Sequence, residues 1–165
     1  MTEMTWTTMH IGGPLPENKI GELCEAIDED FSGNKPTEGW EGAIEGSIKA
    51  KVALYIDGEV NYGDADAVEA FCLEYGLTFH VHWDAKPGCF NEGCKVSGPC
   101  HYQEGGADEY GPTISLTELK HYRDQGDSLE LIIERLERLE ASKVPPLTLG
   151  PTWVDEANDN EAIAS

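Results

Sequence analysis

Apolar residues recur along this chain at two different periods, and the switches between them predict its elements. Residues 5–11, TWTTMHI, alternate and are rich in Thr and Trp, which predicts a strand. GGPLP then breaks the chain. From Glu17 to Phe31 the apolar positions are Ile20, Leu23, Cys24, Ile27 and Phe31, three or four apart, which is one face of a helix. After a glycine-rich connection over 32–46, Ile48, Ala50, Val52, Leu54 and Ile56 alternate and predict a long strand over 47–57. Asp64 stands where an N-cap belongs for a helix over 65–75, and Gly76 where its left-handed C-terminal residue belongs. The inner face of that helix is Val68, Phe71, Cys72 and Tyr75. Residues 77–83 alternate again, with Leu77, Phe79, Val81 and Trp83 opposite Thr78, His80 and His82.

The next stretch, 84–112, is rich in Gly and Pro; a short edge strand near 95–102 is the one element it suggests. Ser115 to Glu118 forms a capping box that opens a helix running to Arg123. Asp127, with Glu130 three residues on, opens another running to Ala141, whose stripe is Leu129, Ile132, Ile133, Leu136 and Leu139. KVPPLTLGP reads as the end of order. The expected organisation is one globular domain over 1–144 and an acidic, proline-containing tail over 145–165 that is partly disordered. Two consecutive βαβ-like units imply an α+β or α/β fold. Its sheet would be small and mixed, with three or four strands, packed helices and a C-terminal helical pair.

Charge changes the picture more than composition does. Thirty-two acids against eleven Lys and Arg leave a net charge of −21 in 165 residues. A small domain needs only about 2–8 units for solubility, and the excess costs stability through self-repulsion. Direct binding to nucleic acid requires a basic footprint and is therefore not expected, and an anionic membrane is disfavoured for the same reason. A basic protein surface is the natural complement. A salt-adapted organism would give the same excess without any target. No apolar run is long enough to span a bilayer, and the first residues lack the pattern of a secretory signal, so a cytoplasmic location is expected.

Residues 80–103 hold three of the five cysteines and three of the five histidines. Cys89, Cys94 and Cys100, with His101 adjacent to the last, could supply a zinc ion with its N and S ligands, and Gly88, Gly93 and Gly98 would let the loop wrap it. The gaps are wider than those of a tight zinc knuckle. Partly buried free thiols, or a Cys94–Cys100 disulfide, account for the same residues. No cofactor other than zinc is suggested. His80 and His82 share a strand face and read equally well as a polar, half-exposed face. Asp57, Glu59 and Asn61 begin like a calcium loop, but Tyr62 and Val68 stand where that loop needs glycine and glutamate. IGGPLP lacks the residues of a phosphate loop. No nucleophile elbow or zinc-protease motif occurs. An enzyme would have to place its site at the ends of the strands, near Tyr62, His82, Trp83 and Asp84.

The acids themselves form the remaining constellation. Glu22, Glu25, Asp28, Glu29 and Asp30 lie on the outer side of the first helix, and Glu130, Glu134 and Glu137 on the last, where Arg135 and Arg138 interrupt them. Carboxylates three or four apart on a helix are about 5–6 Å from one another. Such a row presents charge as a DNA backbone does, although a solvated helix face would look the same. In charge and size the chain resembles small acidic proteins of phages and mobile elements, some of which block host defence proteins by mimicking DNA. The resemblance implies a non-enzymatic protein that engages a basic, nucleic-acid-binding partner. A small zinc-stabilised domain using the 80–101 segment is the alternative, and a small enzyme of unknown reaction is the third reading.

Overall fold

The computed structural model describes residues 3–31, 35–99 and 101–155. Strands are β1 (Met4–Pro16), β2 (Leu54–Asn61), β3 (Thr78–Trp83), β4 (Gly93–Gly98), β5 (His101–Asp108), β6 (Gly111–Thr113) and β7 (Leu147–Gly150). Helices are α1 (Ile20–Asp30), α2 (Gly39–Ala50), α3 (Asp66–Tyr75), α4 (Leu116–Asp124) and α5 (Leu129–Glu137), with a 3-10 turn over Ala141–Lys143. The strands form one seven-stranded sheet in the order β2-β1-β3-β4-β5-β6, with β7 joined to β1.

This corrects the expected small mixed sheet of three or four strands built from two βαβ units. Every pairing along the main path is antiparallel, and only β7 runs parallel to its neighbour. The reason lies in β1. It pairs antiparallel with both β2 and β3, so α1 and α2 return the chain in the opposite direction, and β1 lies between the two strands that α3 connects. The strand expected over 47–57 is a second correction. Trp40, Ile44 and Ile48 are spaced by four, and they turn α2 inward: Trp40 and Ile44 are buried. Lys51, at φ 60°, ends the helix in the left-handed conformation, and β2 starts only at Leu54.

One face of the sheet carries Met9, Ile11, Leu54, Ile56, Val60, Phe79 and Val81 and is covered by α1, α2 and α3 through Leu23, Ile27, Trp40, Ile44, Val68 and Phe71. On the other face a smaller cluster, Cys94, Val96, Ala107 and Leu139, lies under the end of α5. Of the stripe expected on that helix only Ile132 and Leu139 are buried; Leu129 and Ile133 are exposed. Ser128, one residue beyond the expected Asp127, caps α5 by accepting from the Leu131 amide, whereas Ser115 caps α4 as its box predicts. Within the expected tail, residues 147–150 form β7, and Leu147 is fully buried. The Asn18 side chain grips both the amide and the carbonyl of Trp153, whose ring stands edge-on to Tyr75 at 5.0 Å. No helix among the described residues is long and apolar enough to cross a membrane.

Candidate functional site

The acids expected on α1 divide into two groups. Glu22 accepts a hydrogen bond from the Tyr75 hydroxyl at 2.7 Å and lies near Lys19. Asp28 accepts from Trp40 Nε1 at 2.9 Å and from Lys35. Asp30 accepts from the Val68 amide at 2.8 Å, so it caps α3 from a distance; neither Ala65 nor the expected Asp64 supplies that cap. Burial raises the Asp30 carboxyl to about 6, against the lowering effect of the amide it accepts from. These three hold the helical layer together. Glu25 and Glu29 are exposed on the outer side.

Helix packing then adds acids that are distant in sequence. A shallow depression between α1 and α3 is lined by Glu22, Glu25, Glu29 and Glu74. It meets a second, lined by Glu29, Asp30, Asp64 and Asp66, through their shared Glu29 and Ala67. That one meets a third, which adds Lys95 and Glu104, through Tyr62 and Asp64. The three form a continuous acidic trough along one side of the molecule. At its far end Lys95 Nζ sits 2.7 Å from Glu69 and 3.1 Å from Asp64. Donor atoms of Asp64, Asp66 and Glu69 lie within 4.8 Å of one another, so three carboxyls crowd one ammonium. Glu69 is the most enclosed of them and has an oxygen with no partner. Its burial, together with the Asp64 charge, outweighs Lys95 and pushes its carboxyl up to about 7. Tyr62, Phe90 and Trp83 stand around this end, and Tyr62 holds a left-handed backbone at φ 55°. Sequence periodicity signals neither the trough nor this end of it, because α3 and β4 are brought to α1 only by folding.

Glu130, Glu134 and Glu137 are exposed on α5, which packs on the opposite side of the sheet from α1 and α3. The two sets of expected partner-binding acids therefore do not form one surface.

The Cys/His segment opens out into β4 and β5. Cys89 is exposed, while Cys94 is buried beneath Leu139, and burial raises its thiol to about 11. His101 is exposed at the start of β5. Among the described residues Cys89, Cys94 and His101 do not form a set of ligand atoms close enough for one ion; Cys100 lies outside the described residues. A cavity of about 500 Å³ lies beside Cys94, on the face away from α1 to α3. Its floor is Thr8, His10, His80, His82 and Cys94, and the β5–β6 turn and the segment 139–142 wall it. His10 and His80 are directly paired across β1 and β3, with ring centroids 6.1 Å apart. Burial lowers both imidazoles, His80 to about 4, so both are neutral at pH 7.

No protein-family model, curated protein or solved structure matches this chain.

Proposed function

We propose that the chain is a non-enzymatic binding protein whose acidic trough engages a basic protein surface, in the manner of a DNA mimic directed at a nucleic-acid-binding partner. The observation that supports this reading is the joining of three depressions into one acidic channel from Glu25 and Glu74 to Glu104. Acids scattered only for hydration have no reason to meet across α1, α3 and β5. Within the trough Lys95 already holds two carboxylates, which leaves Glu25, Glu29 and Glu74 exposed for an incoming Lys or Arg. Grooves lined by one sign of charge focus the field and speed association with an opposite charge.

The test has two arms. Basic proteins retained by the full chain are eluted with rising salt, and then with duplex DNA at fixed salt. The reading expects steep salt dependence, displacement by DNA, and loss of retention in the triple variant Glu25→Gln, Glu29→Gln, Glu74→Gln. Retention that survives the triple variant removes the trough from the account. Retention lost in that variant but insensitive to DNA removes the mimicry and leaves a plain acidic docking site.

A further inference from the structure

The cavity floor of His10, His80 and His82 lies on the face of the sheet opposite α1 and α3 and shares no residue with the trough. At its edge, donor atoms of His82, Asp84 and Glu92 lie within 4.8 Å of one another. Their backbones are fixed independently. His82 lies inside β3 between β1 and β4, the Asp84 amide donates to the Trp6 carbonyl at 3.0 Å, and the Glu92 carbonyl accepts from Ala107. The three side chains thus converge from a rigid frame, as ligands for an ion must. Independently, His80 is 5% exposed, lines the same cavity two residues from His82, and leaves Nδ1 with no hydrogen-bond partner. A buried imidazole nitrogen without a partner is expensive unless something polar reaches it.

From this geometry we infer that His82, Asp84 and Glu92 bind a divalent first-row transition-metal ion of the zinc class, with its remaining coordination positions open to the histidine-lined cavity. Bonds of about 2.1 Å put tetrahedral ligand atoms about 3.4 Å apart; no pair here is more than 4.8 Å apart, so none has to close by more than about 1.4 Å, and His82 Nε2 and Glu92 Oε1, at 2.9 Å, have to open slightly. With the ion bound, His82 Nε2 gives up its 2.9 Å hydrogen bond with Glu92 Oε1, and the neutral imidazole carries its proton on Nδ1 instead. One imidazole with two carboxylates favours zinc, manganese or iron over calcium and magnesium, which take oxygen ligands alone. Asp64, Asp66 and Glu69 converge as closely, but the Lys95 ammonium already stands among them. Three protein ligands, with the rest of the sphere facing a cavity, is the composition of a site with an exchangeable position.

The untagged full chain is titrated with Zn²⁺ in the presence of excess Mg²⁺, which saturates diffuse binding to the net charge, and the heat is recorded. One Zn²⁺ per chain is expected, with at least tenfold weaker binding in His82→Ala and in Glu92→Gln. Co²⁺ should give a visible absorption band that His82→Ala abolishes. Should His82→Ala not fold, Asp84→Asn, on an exposed side chain, is read instead. Absence of stoichiometric binding in excess Mg²⁺ overturns the inference, and so does binding unaffected by these variants but lost in Asp64→Asn or Cys100→Ser.

Discussion

Asp30 is the residue at which charge and architecture conflict most directly. Its carboxyl accepts the Val68 amide at the start of α3, and an N-cap acceptor is worth about 1 kcal/mol. Burial nevertheless raises its pKa to about 6, so ionising it in place is unfavourable. The two variants separate these effects. Asp30→Ala loses the acceptor together with the charge and should be about 1 kcal/mol less stable than Asp30→Asn in urea titrations at pH 7. Asp30→Asn keeps an acceptor without the charge and should be at least as stable as the wild type. Glu69 makes a related prediction about pH. Its folded pKa of about 7 lies above the ordinary 4.5, so the folded state holds this proton longer than the unfolded chain. Where the folded state binds more protons, stability falls as pH rises. The contribution of Glu69 is therefore fully present below about pH 4.5 and is lost as pH climbs through about 7. His10 and His80, lowered by burial, act in the opposite direction over part of that window, so the readout is the difference: the stability of the wild type relative to Glu69→Gln, which has no proton to lose, should fall as pH rises from about 4.5 through about 7.

Among the elements, α4 and α5 form the least anchored pair. No residue of α4 is buried, and α5 contributes only Ile132 from within its span, with Leu139 just beyond it. Local opening is easiest where few apolar contacts are lost. Native-state hydrogen exchange should therefore find the α4 amides exchanging well before those of β1 and β3, which lie inside the sheet. Uniform protection across α4 and β1 would mean that the C-terminal pair unfolds only with the whole domain. This pair also marks the limit of what periodicity conveys. The positions of α1, α3, α4, α5, β1 and β3 were readable from apolar spacing and caps, because each has a regular face or a capping residue. Apolar spacing on α5 did not reveal which face is covered, since Leu129 and Ile133 point to solvent. Helix α2 reads as a strand because Ile48, Val52, Leu54 and Ile56 fit both periods, and Gly39, Gly42 and Gly46 disguise the turn-by-turn spacing of Trp40, Ile44 and Ile48. The β4–β5 pair resembles one short strand in a loop because its glycines serve close packing: a Cβ on Gly105 would come 2.9 Å from Leu139 Cδ1. Strand β7 was hidden among prolines. Its approach depends on Gly12, where a Cβ would fall 1.7 Å from the Pro145 carbonyl oxygen, a relation no local pattern contains. The site residues follow the same division. Glu25 and Glu29 are visible on one helix face, whereas Glu74, Glu104 and the His82–Asp84–Glu92 convergence require the assembled sheet.

At the scale of the whole molecule the excess charge must be carried somewhere. Were every Lys and Arg paired, 32 − 11 = 21 acids would remain without a cation. Exposed ion pairs contribute little, about 0–1 kcal/mol each, so repulsion among the remaining acids should dominate the response to salt. Raising ionic strength from about 0.01 M to about 0.1 M shortens the screening length from about 30 Å to about 10 Å. The melting temperature should rise over that range. A fall would mean that the ion pairs at Lys95 and Arg135 outweigh the repulsion. The same measurement tests whether the anions are concentrated. Neutralising Glu25, Glu29 and Glu74 together removes charge from a channel that also holds Asp30, Asp64 and Asp66. Neutralising Glu130, Glu134 and Glu137 removes it from a helix where Arg135 stands among the acids and Arg138 follows them. A concentrated field predicts a larger gain in melting temperature at low salt for the first triple variant, and convergence of the two as salt screens both. Equal gains would describe an evenly distributed coat of carboxylates, with no face distinguished for a cationic partner.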